Sequence, residues 1–136
     1  MERSEVAVLD THAWVWWVSS PDRLSRNAQR RIDDAAETSA IYISAISVWE
    51  LSLLVIRKRV HLRIDVADWI ARCEALPFLN FVPVDNLVAL KANDLPDYVH
   101  RDPADRMIIA TALLLGGTLI TQDRKIRNYP HVSSLW

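Results

Sequence analysis

Glycine, cysteine and net charge are scarce in this sequence, and each scarcity excludes a class of protein. The 136 residues contain two glycines, adjacent at Gly116 and Gly117, so the glycine-rich loops that cradle nucleotides are excluded. Cys73 is the single cysteine, which excludes an intrachain disulfide and favours a reducing compartment. The formal net charge is −1, whereas generic polyanion binders carry a strong positive excess. Any contact with nucleic acid must therefore depend on local basic patches.

Long apolar segments are also lacking. The longest apolar stretch, residues 107–115, is too short to span a bilayer, and the first ten residues show no signal-peptide pattern. The four histidines and Cys73 lack the spacing of a zinc site. Hydrophobic residues make up 51% of the chain and charged residues 24%, the balance of an ordinary globular protein. We expect one domain over residues 1–136, located in the cytoplasm and independent of membranes.

Short runs of β-branched residues alternate with helical segments along the chain. This alternation predicts βαβ units and an α/β fold, with a mainly parallel central sheet flanked by helices on both faces. The predicted strands are residues 6–9, 41–45, 81–84, 118–121 and 132–135. The predicted helices are residues 11–18, 25–36, 47–56, 66–76, 86–93 and 103–115, the last closed by the glycine pair.

Four acidic residues lie at junctions between these elements, all at one edge of the predicted sheet. Asp10 directly follows the first strand, and Asp123 follows the fourth strand by two residues. Glu50 lies in the first turn of the helix after the second strand, and Asp105 lies in the first turn of the helix that leads into the fourth strand. The carboxyl ends of parallel strands share one edge, where ligands bind to open α/β sheets. The four carboxylates are therefore predicted to converge.

Each of these acids also has a purely structural explanation. Asp10 and Asp123 can cap the helix or turn that follows them. Ser47 and Glu50 fit a capping box, with Ser47 as the N-cap residue and Glu50 as its partner in the first turn. Asp105 falls at the third position of its own helix, where an acid also supports a helix start. One acid at such a position is weak evidence for chemistry, whereas four junctions on one edge are harder to explain by capping alone.

A cluster of carboxylates would indicate a metal site. Carboxylates within a few Å of one another repel, which raises their pKa values, and a divalent cation removes that cost. Oxygen ligands without His or Cys suit Mg²⁺ or Mn²⁺. Such ions activate bound water and stabilise the leaving oxygen in phosphodiester cleavage. The basic residues within 124–127 adjoin Asp123 and are the best candidates for contacts with RNA phosphates.

Three tryptophans crowd one predicted helix, at positions 14, 16 and 17. At about 100° per residue, Trp14 and Trp17 share a face while Trp16 points elsewhere. One helix against one core cannot easily bury all three, so we expect at least one to meet another surface, in a second copy of the chain or in a partner. The alternative is that residues 19–23 fold back and cover the extra indole.

Four segments of the sequence together resemble the PIN domain, and most closely the VapC-type toxins of type II toxin–antitoxin pairs. The resemblance spans nearly the whole chain, and four such motifs in this order are specific where any one of them is weak. The segments are Asp10-Thr-His, Ser47-Val-Trp-Glu50, His100-Arg-Asp-Pro-Ala-Asp105-Arg with Ile109-Ala-Thr-Ala112, and Leu119-Ile-Thr-Gln-Asp123.

The resemblance implies a three-layer α/β domain and a Mg²⁺- or Mn²⁺-dependent endoribonuclease that hydrolyses RNA phosphodiester bonds. It implies that Asp10, Glu50, Asp105 and Asp123 are the catalytic and metal-binding acids, with no acid missing. Asp102 matches the capping position of the family instead of a catalytic one. The resemblance also implies a homodimer and a cognate antitoxin that silences it.

Three other functions remain open at this level. A nuclease that acts on DNA would use the same acidic site. A non-catalytic module that binds RNA or protein would share the fold, although such modules tend to lack one or more of the acids. In a purely structural alternative, the four acids only cap helices and gain little from a metal ion.

Overall fold

The structure is a computed structural model that describes residues 5–136; residues 1–4, the start of the segment tested for a signal peptide, lie outside that range. Its strands are β1 (Ala7–Leu9), β2 (Ile41–Ser44), β3 (Leu79–Val82), β4 (Thr118–Ile120) and β5 (Ser134–Leu135). Its helices are α1 (Thr11–Ser19), α2 (Arg26–Glu37), α3 (Ala45–Ile56), α4 (Val66–Glu74), α5 (Asn86–Asn93), α6 (Pro103–Leu115) and α7 (Arg124–Arg127), with a 3₁₀ turn at Pro21–Arg23. None of the helices in the described range is long and apolar enough to cross a membrane.

The five strands form one parallel sheet in the order β3-β2-β1-β4-β5. The chain builds outward from β1 through β2 to β3, then crosses back and adds β4 and β5 on the other side of β1. The strand order thus reverses at β1, and the carboxyl ends of β1 and β4 lie side by side, with the amide of Asp10 donating to the carbonyl of Ile120 at 3.1 Å. Ligands bind at such switch points in open α/β sheets.

Helices cover both faces of this sheet, so the predicted α/β fold with a parallel sheet between helical layers is confirmed. Adjacent strand residues point to opposite faces, and both sides are buried. Leu9 belongs to a core with Trp14 and Leu51, whereas Val8 belongs to a second core with Ile109. All five side chains are fully buried.

Two helices have the predicted bounds because their ends carry strong local signals. Asp85 caps α5 by accepting from the amide of Val88 at 2.9 Å, and Asp102 caps α6 by accepting from the amide of Asp105 at 3.0 Å. Gly116 ends α6 in the left-handed region at φ +63°, which glycine adopts without strain.

The predicted start of α3 is wrong. This helix begins at Ala45, and its N-cap residue is Ser44, whose Oγ accepts from the amide of Ile46 at 3.2 Å. Ser47 is the third helical residue and is buried, and its Oγ accepts a hydrogen bond of 3.0 Å from Thr11 Oγ1 on α1. Ser44 therefore takes the capping role, and Glu50 lies in the second turn of the helix instead of the first.

The sheet strands also shift slightly from their predicted ranges. The third strand was expected over residues 81–84, but β3 ends at Val82 because Pro83 has no amide hydrogen to donate. The strand begins earlier, where Leu79 pairs with Ile41 of β2.

The three indoles of α1 all find partners within the described chain. Trp14 is fully buried and meets the ring of Trp69 at a centroid distance of 5.1 Å. Trp17 is half-buried and contacts Phe78 at 5.7 Å. The guanidinium of Arg23 lies 4.6 Å from the Trp16 ring, as expected if residues 19–23 fold back over the extra indole.

Candidate active site

A cleft of ≈ 800 Å³ opens at the carboxyl edge of the sheet, around the ends of β1 and β4. All four acids predicted from the sequence line it, and a fifth acid, Asp102, lines it as well. The acidic residues of the cleft are Asp10, Glu50, Asp102, Asp105 and Asp123. The predicted convergence of four junctions on one edge is therefore present in the structure.

Asp10 is held rigidly at the end of β1. Its Oδ1 accepts from the amide of Ala13 at 2.8 Å, and its Oδ2 accepts from the hydroxyl of Thr121. The Thr121 oxygen accepts in turn from the amide of Asp123 at 3.0 Å. Burial raises the pKa of Asp10, and these hydrogen bonds oppose the rise. Asp10 thus caps α1 and also lines the cleft, so its two proposed roles are compatible.

The tightest group of carboxylates consists of Glu50, Asp102 and Asp105. One oxygen from each lies within 4.8 Å of the other two. Glu50 reaches the site from α3, while Asp102 and Asp105 come from the start of α6. This donor set consists of oxygen only, which suits a hard divalent cation such as Mg²⁺ or Mn²⁺. The residues present therefore fit the metal that the sequence predicts.

The sequence assigns Asp102 only to helix capping, and the structure places its carboxylate in the cleft as well. It caps α6, and its carboxylate also belongs to the tight group. A signal was available in the spacing of Asp102 and Asp105, since residues three apart at a helix start lie on neighbouring parts of its surface.

The electrostatics at Asp105 show that the carboxylates repel one another. Its pKa is raised from 3.8 to about 7, first by burial and then by the negative charges of Asp102 and Asp123, with a smaller contribution from Glu50. The ammonium of Lys125 opposes this rise from 3.7 Å away. A bound cation would relieve the same repulsion.

Asp123 faces α7 and its lysine. Its Oδ1 accepts from the amide of Lys125 at 2.9 Å, which caps α7, and its Oδ2 lies 3.9 Å from the Lys125 ammonium. Among the described residues, the tight group of three oxygens includes neither Asp123 nor Asp10. These two acids lie farther along the same cleft.

Among residues 5–136, as many arginine and lysine side chains as acidic side chains line the cleft. The basic residues are Arg23, Arg59, Arg124, Lys125 and Arg127. Three of them come from the 124–127 cluster that the sequence marks for phosphate contacts. The adjacent arginines at positions 30 and 31 lie outside the described lining of the cleft, and Arg31 is buried and donates to the carbonyls of Glu5 and Val6. The near-neutral total charge thus conceals a cleft rich in both signs.

The sequence-family model of the PIN domain matches residues 7–132, and the chain belongs to this family. Over 124 residues, the chain is 37% identical to Ribonuclease VapC22 of Mycobacterium tuberculosis (strain ATCC 25618 / H37Rv), an alignment that covers 91% of this chain and 92% of that protein. The resemblance identified in the sequence is thereby confirmed.

Solved structures share the fold. VapBC2 from Rickettsia felis, bound to a DNA fragment from its promoter, superposes with a TM-score of 0.70 at 16% identity, covering 96% of this chain and 97% of that one. FitAcB from Neisseria gonorrhoeae superposes with a TM-score of 0.63 at 26% identity, with the same coverage. DNA-bound VapBC from Salmonella typhimurium gives 0.65 at 20% identity and covers 96% of both chains.

Proposed function

We propose that this chain is the toxin of a type II toxin–antitoxin pair and acts as a Mg²⁺- or Mn²⁺-dependent endoribonuclease. The observation that carries the proposal is the convergence of Glu50, Asp102 and Asp105 within 4.8 Å in the cleft of a PIN domain. The relative with 37% identity is named a ribonuclease, which supports RNA as the substrate. We propose that residues 1–136 form one such domain, in the cytoplasm.

The acids have distinct roles in this proposal. Glu50 and Asp105, with Asp102, supply the ligands of a divalent cation, and Asp10 and Asp123 complete the catalytic and metal-binding set. When bound, the cation supplies Lewis-acid chemistry that favours deprotonation of a water and neutralises charge on the leaving oxygen. Asp10 is fixed through both of its oxygens, so it can orient a water without moving.

Cleavage of RNA and DNA of one sequence tests the proposal. The purified chain should cut the RNA in Mg²⁺ or Mn²⁺, leave the DNA intact, and lose activity in EDTA. The double variant Asp10→Asn/Asp105→Asn should be inactive while it keeps its circular dichroism spectrum. Cleavage of both polymers would indicate a general nuclease, and RNA binding without cleavage in any divalent ion would indicate a non-catalytic module.

A cognate antitoxin is the second partner that we propose. Two structures of the same fold are VapBC assemblies, and a third is described as a toxin-antitoxin complex from Klebsiella pneumoniae. Co-expression with the protein encoded beside this gene should suppress the ribonuclease activity and give a complex that survives gel filtration. Full activity in the presence of every neighbouring gene product would contradict this partner.

We also propose a homodimer, which rests on exposed apolar side chains of two helices. Trp49 on α3 is 57% exposed and Leu90 on α5 is 71% exposed, and Ile56 and Leu87 on the same helices are similarly open. Both helices pack against α6. Single monomers rarely leave so many large apolar groups in water. Sedimentation equilibrium should give the mass of a dimer for the wild type and of a monomer for Leu90→Glu; a monomeric wild type would contradict the proposal.

A further inference from the structure

One wall of the acidic cleft is aromatic. Trp16 and Trp136 both line the cleft, with ring centroids 5.8 Å apart and planes inclined at 61°. Arg23 lies over the Trp16 ring, and the ring of His12 lies 5.5 Å from it. Both indoles are half-buried, so each keeps surface that faces the cleft. The proposed chemistry of the acids uses none of these rings.

A second cavity of ≈ 550 Å³ adjoins the cleft at Trp136. We call it the basic annex, and the described residues that line it are Arg124, Arg127, Asn128, Ser134, Leu135 and Trp136. Arg124, Arg127 and Trp136 line the cleft as well, so the two cavities share this border. None of those six residues is acidic, whereas five acids line the cleft. A polyanion that extends from the acids into the annex therefore meets two arginine side chains and, among the described residues, no acidic side chain.

An unpaired strand of RNA matches both features of this border. Its phosphates need cations, which Arg124 and Arg127 supply locally although the chain carries a net charge of −1. Its bases have flat faces that stack on aromatic side chains whatever the base. In a duplex those faces are covered by neighbouring pairs, so an unpaired base is required for stacking on Trp136.

We propose that Trp136 is the stacking platform for one unpaired RNA base beside the cleaved phosphate, and that Arg124 and Arg127 contact the phosphates that follow it. Trp16, covered by Arg23, buttresses Trp136 from the side of the cleft. The inference rests on the proposed ribonuclease function and adds to it a binding site for one unpaired base. A basic peptide is disfavoured in the annex, because two arginines and no acids line it among the described residues.

Binding of a labelled oligouridylate, measured by fluorescence anisotropy at low salt in EDTA, tests the platform without any cleavage. Trp136→Ala should weaken binding about tenfold, because one stacked base contributes on the order of 1.4 kcal/mol. Trp136→Phe should keep most of the affinity. The matched control is Trp17→Ala, since Trp17 is also half-buried with one edge-on ring contact but is absent from the described lining of either cavity.

The arginines have a separate readout. Arg127→Gln should lower the slope of log affinity against log salt by about 0.7, the value for one phosphate contact on a single strand. The same RNA annealed into a duplex should bind less tightly than the single strand, and Trp136→Ala should barely change that affinity. The affinity for an abasic oligonucleotide should likewise change little in Trp136→Ala. Its salt dependence should fall in Arg127→Gln by the same amount as for the intact oligonucleotide.

The inference is overturned if Trp136→Ala binds oligouridylate as the wild type does, if Trp17→Ala weakens binding equally, or if the duplex binds as tightly as the single strand. It is also overturned if Trp136→Ala weakens the antitoxin complex alone, which would make the wall a protein-binding surface. These results are separable from failure of the proposed function. If the chain cleaves RNA but Trp136→Ala binds RNA normally, only the stacking proposal is wrong. If Trp136 stacks on a base but no RNA is cleaved, the ribonuclease proposal is wrong and the stacking proposal stands.

Discussion

Thr11 Oγ1 donates a hydrogen bond of 3.0 Å to Ser47 Oγ, and both side chains are buried between α1 and α3. The bond joins two helices that matter to the cleft, because α1 follows Asp10 directly and α3 carries Glu50. Such a contact fixes how the two helices approach each other. If they moved apart, two buried hydroxyl groups would be left without a hydrogen bond.

The first prediction compares the loss of one hydroxyl of this pair with the loss of both. Removing one should cost more stability per hydroxyl, because its partner is left buried without a hydrogen bond. Ser47→Ala leaves the Thr11 hydroxyl buried without its partner, so the free energy of unfolding should fall by about 1–3 kcal/mol. Thr11→Val/Ser47→Ala removes both polar groups and should cost less than the sum of the single variants. Urea denaturation of the four proteins measures the coupling, and strictly additive losses would show that the two hydroxyls act independently.

The second prediction separates capping from metal binding at Asp102. Asparagine caps a helix about as well as aspartate, so Asp102→Asn should keep α6 intact. Its loss of negative charge should leave the metal-free melting temperature unchanged or higher, while the stabilisation by Mg²⁺ should shrink. The matched control is Asp65→Asn, which alters the cap of α4 at Ala67, outside the described cleft. If Mg²⁺ raises the melting temperature of Asp102→Asn as much as that of the wild type, Asp102 serves only as a helix cap.

The third prediction concerns pH. Because the pKa of Asp105 is raised from 3.8 to about 7, the folded chain binds a proton there that the unfolded chain has already lost. This contribution to stability is complete below about pH 4 and is lost as the pH rises to about 7. Without metal, the stability should therefore decline across this window faster in the wild type than in Asp105→Asn. Melting curves between pH 4 and 8 test this, and parallel declines would contradict it. Saturating Mg²⁺ should flatten the wild-type curve.

The fourth prediction concerns the lysine between two of the acids. Lys125 lies within 4 Å of both Asp105 and Asp123, so it partly neutralises them and competes with a metal ion. Lys125→Met should lower the stability of the metal-free protein and tighten Mg²⁺ binding about two- to fivefold, the range for ion pairs in which the lysine is about half exposed. Lys91→Met on α5 is a control outside the described lining of the cleft. Weaker Mg²⁺ binding in Lys125→Met would show instead that the lysine organises the acids.

The comparison of Ser47 with Asp102 shows how far local sequence patterns reach. Asp102, Pro103 and the glycine after Leu115 define α6 by interactions within a few residues, so its bounds could be predicted. The capping box at Ser47 has equally good local chemistry. It fails because Ser44 caps the helix and because Thr11, distant in sequence, donates a hydrogen bond to Ser47. Such choices are decided by tertiary contacts that a local pattern does not contain.

The candidate site was also predictable only in part. Convergence of the four acids could be predicted, because each follows from the rule that the carboxyl ends of parallel strands share an edge. Which oxygens come closest could not be predicted, since that depends on side-chain directions from two helices. The position of Trp136 at the cleft could not be predicted either, because its place beside Trp16 follows from the pairing of β5 with β4.

The pairing of β1 with β4 makes the site depend on both ends of the chain. Asp10 receives its hydrogen bond from Thr121, 111 residues later, and the acids of the cleft are spread from Asp10 to Asp123. A nascent chain that still lacks β4 therefore has neither the neighbour that orients Asp10 nor the last acid. The acids of the cleft therefore come together only after residue 123 has been synthesised and β4 has paired with β1.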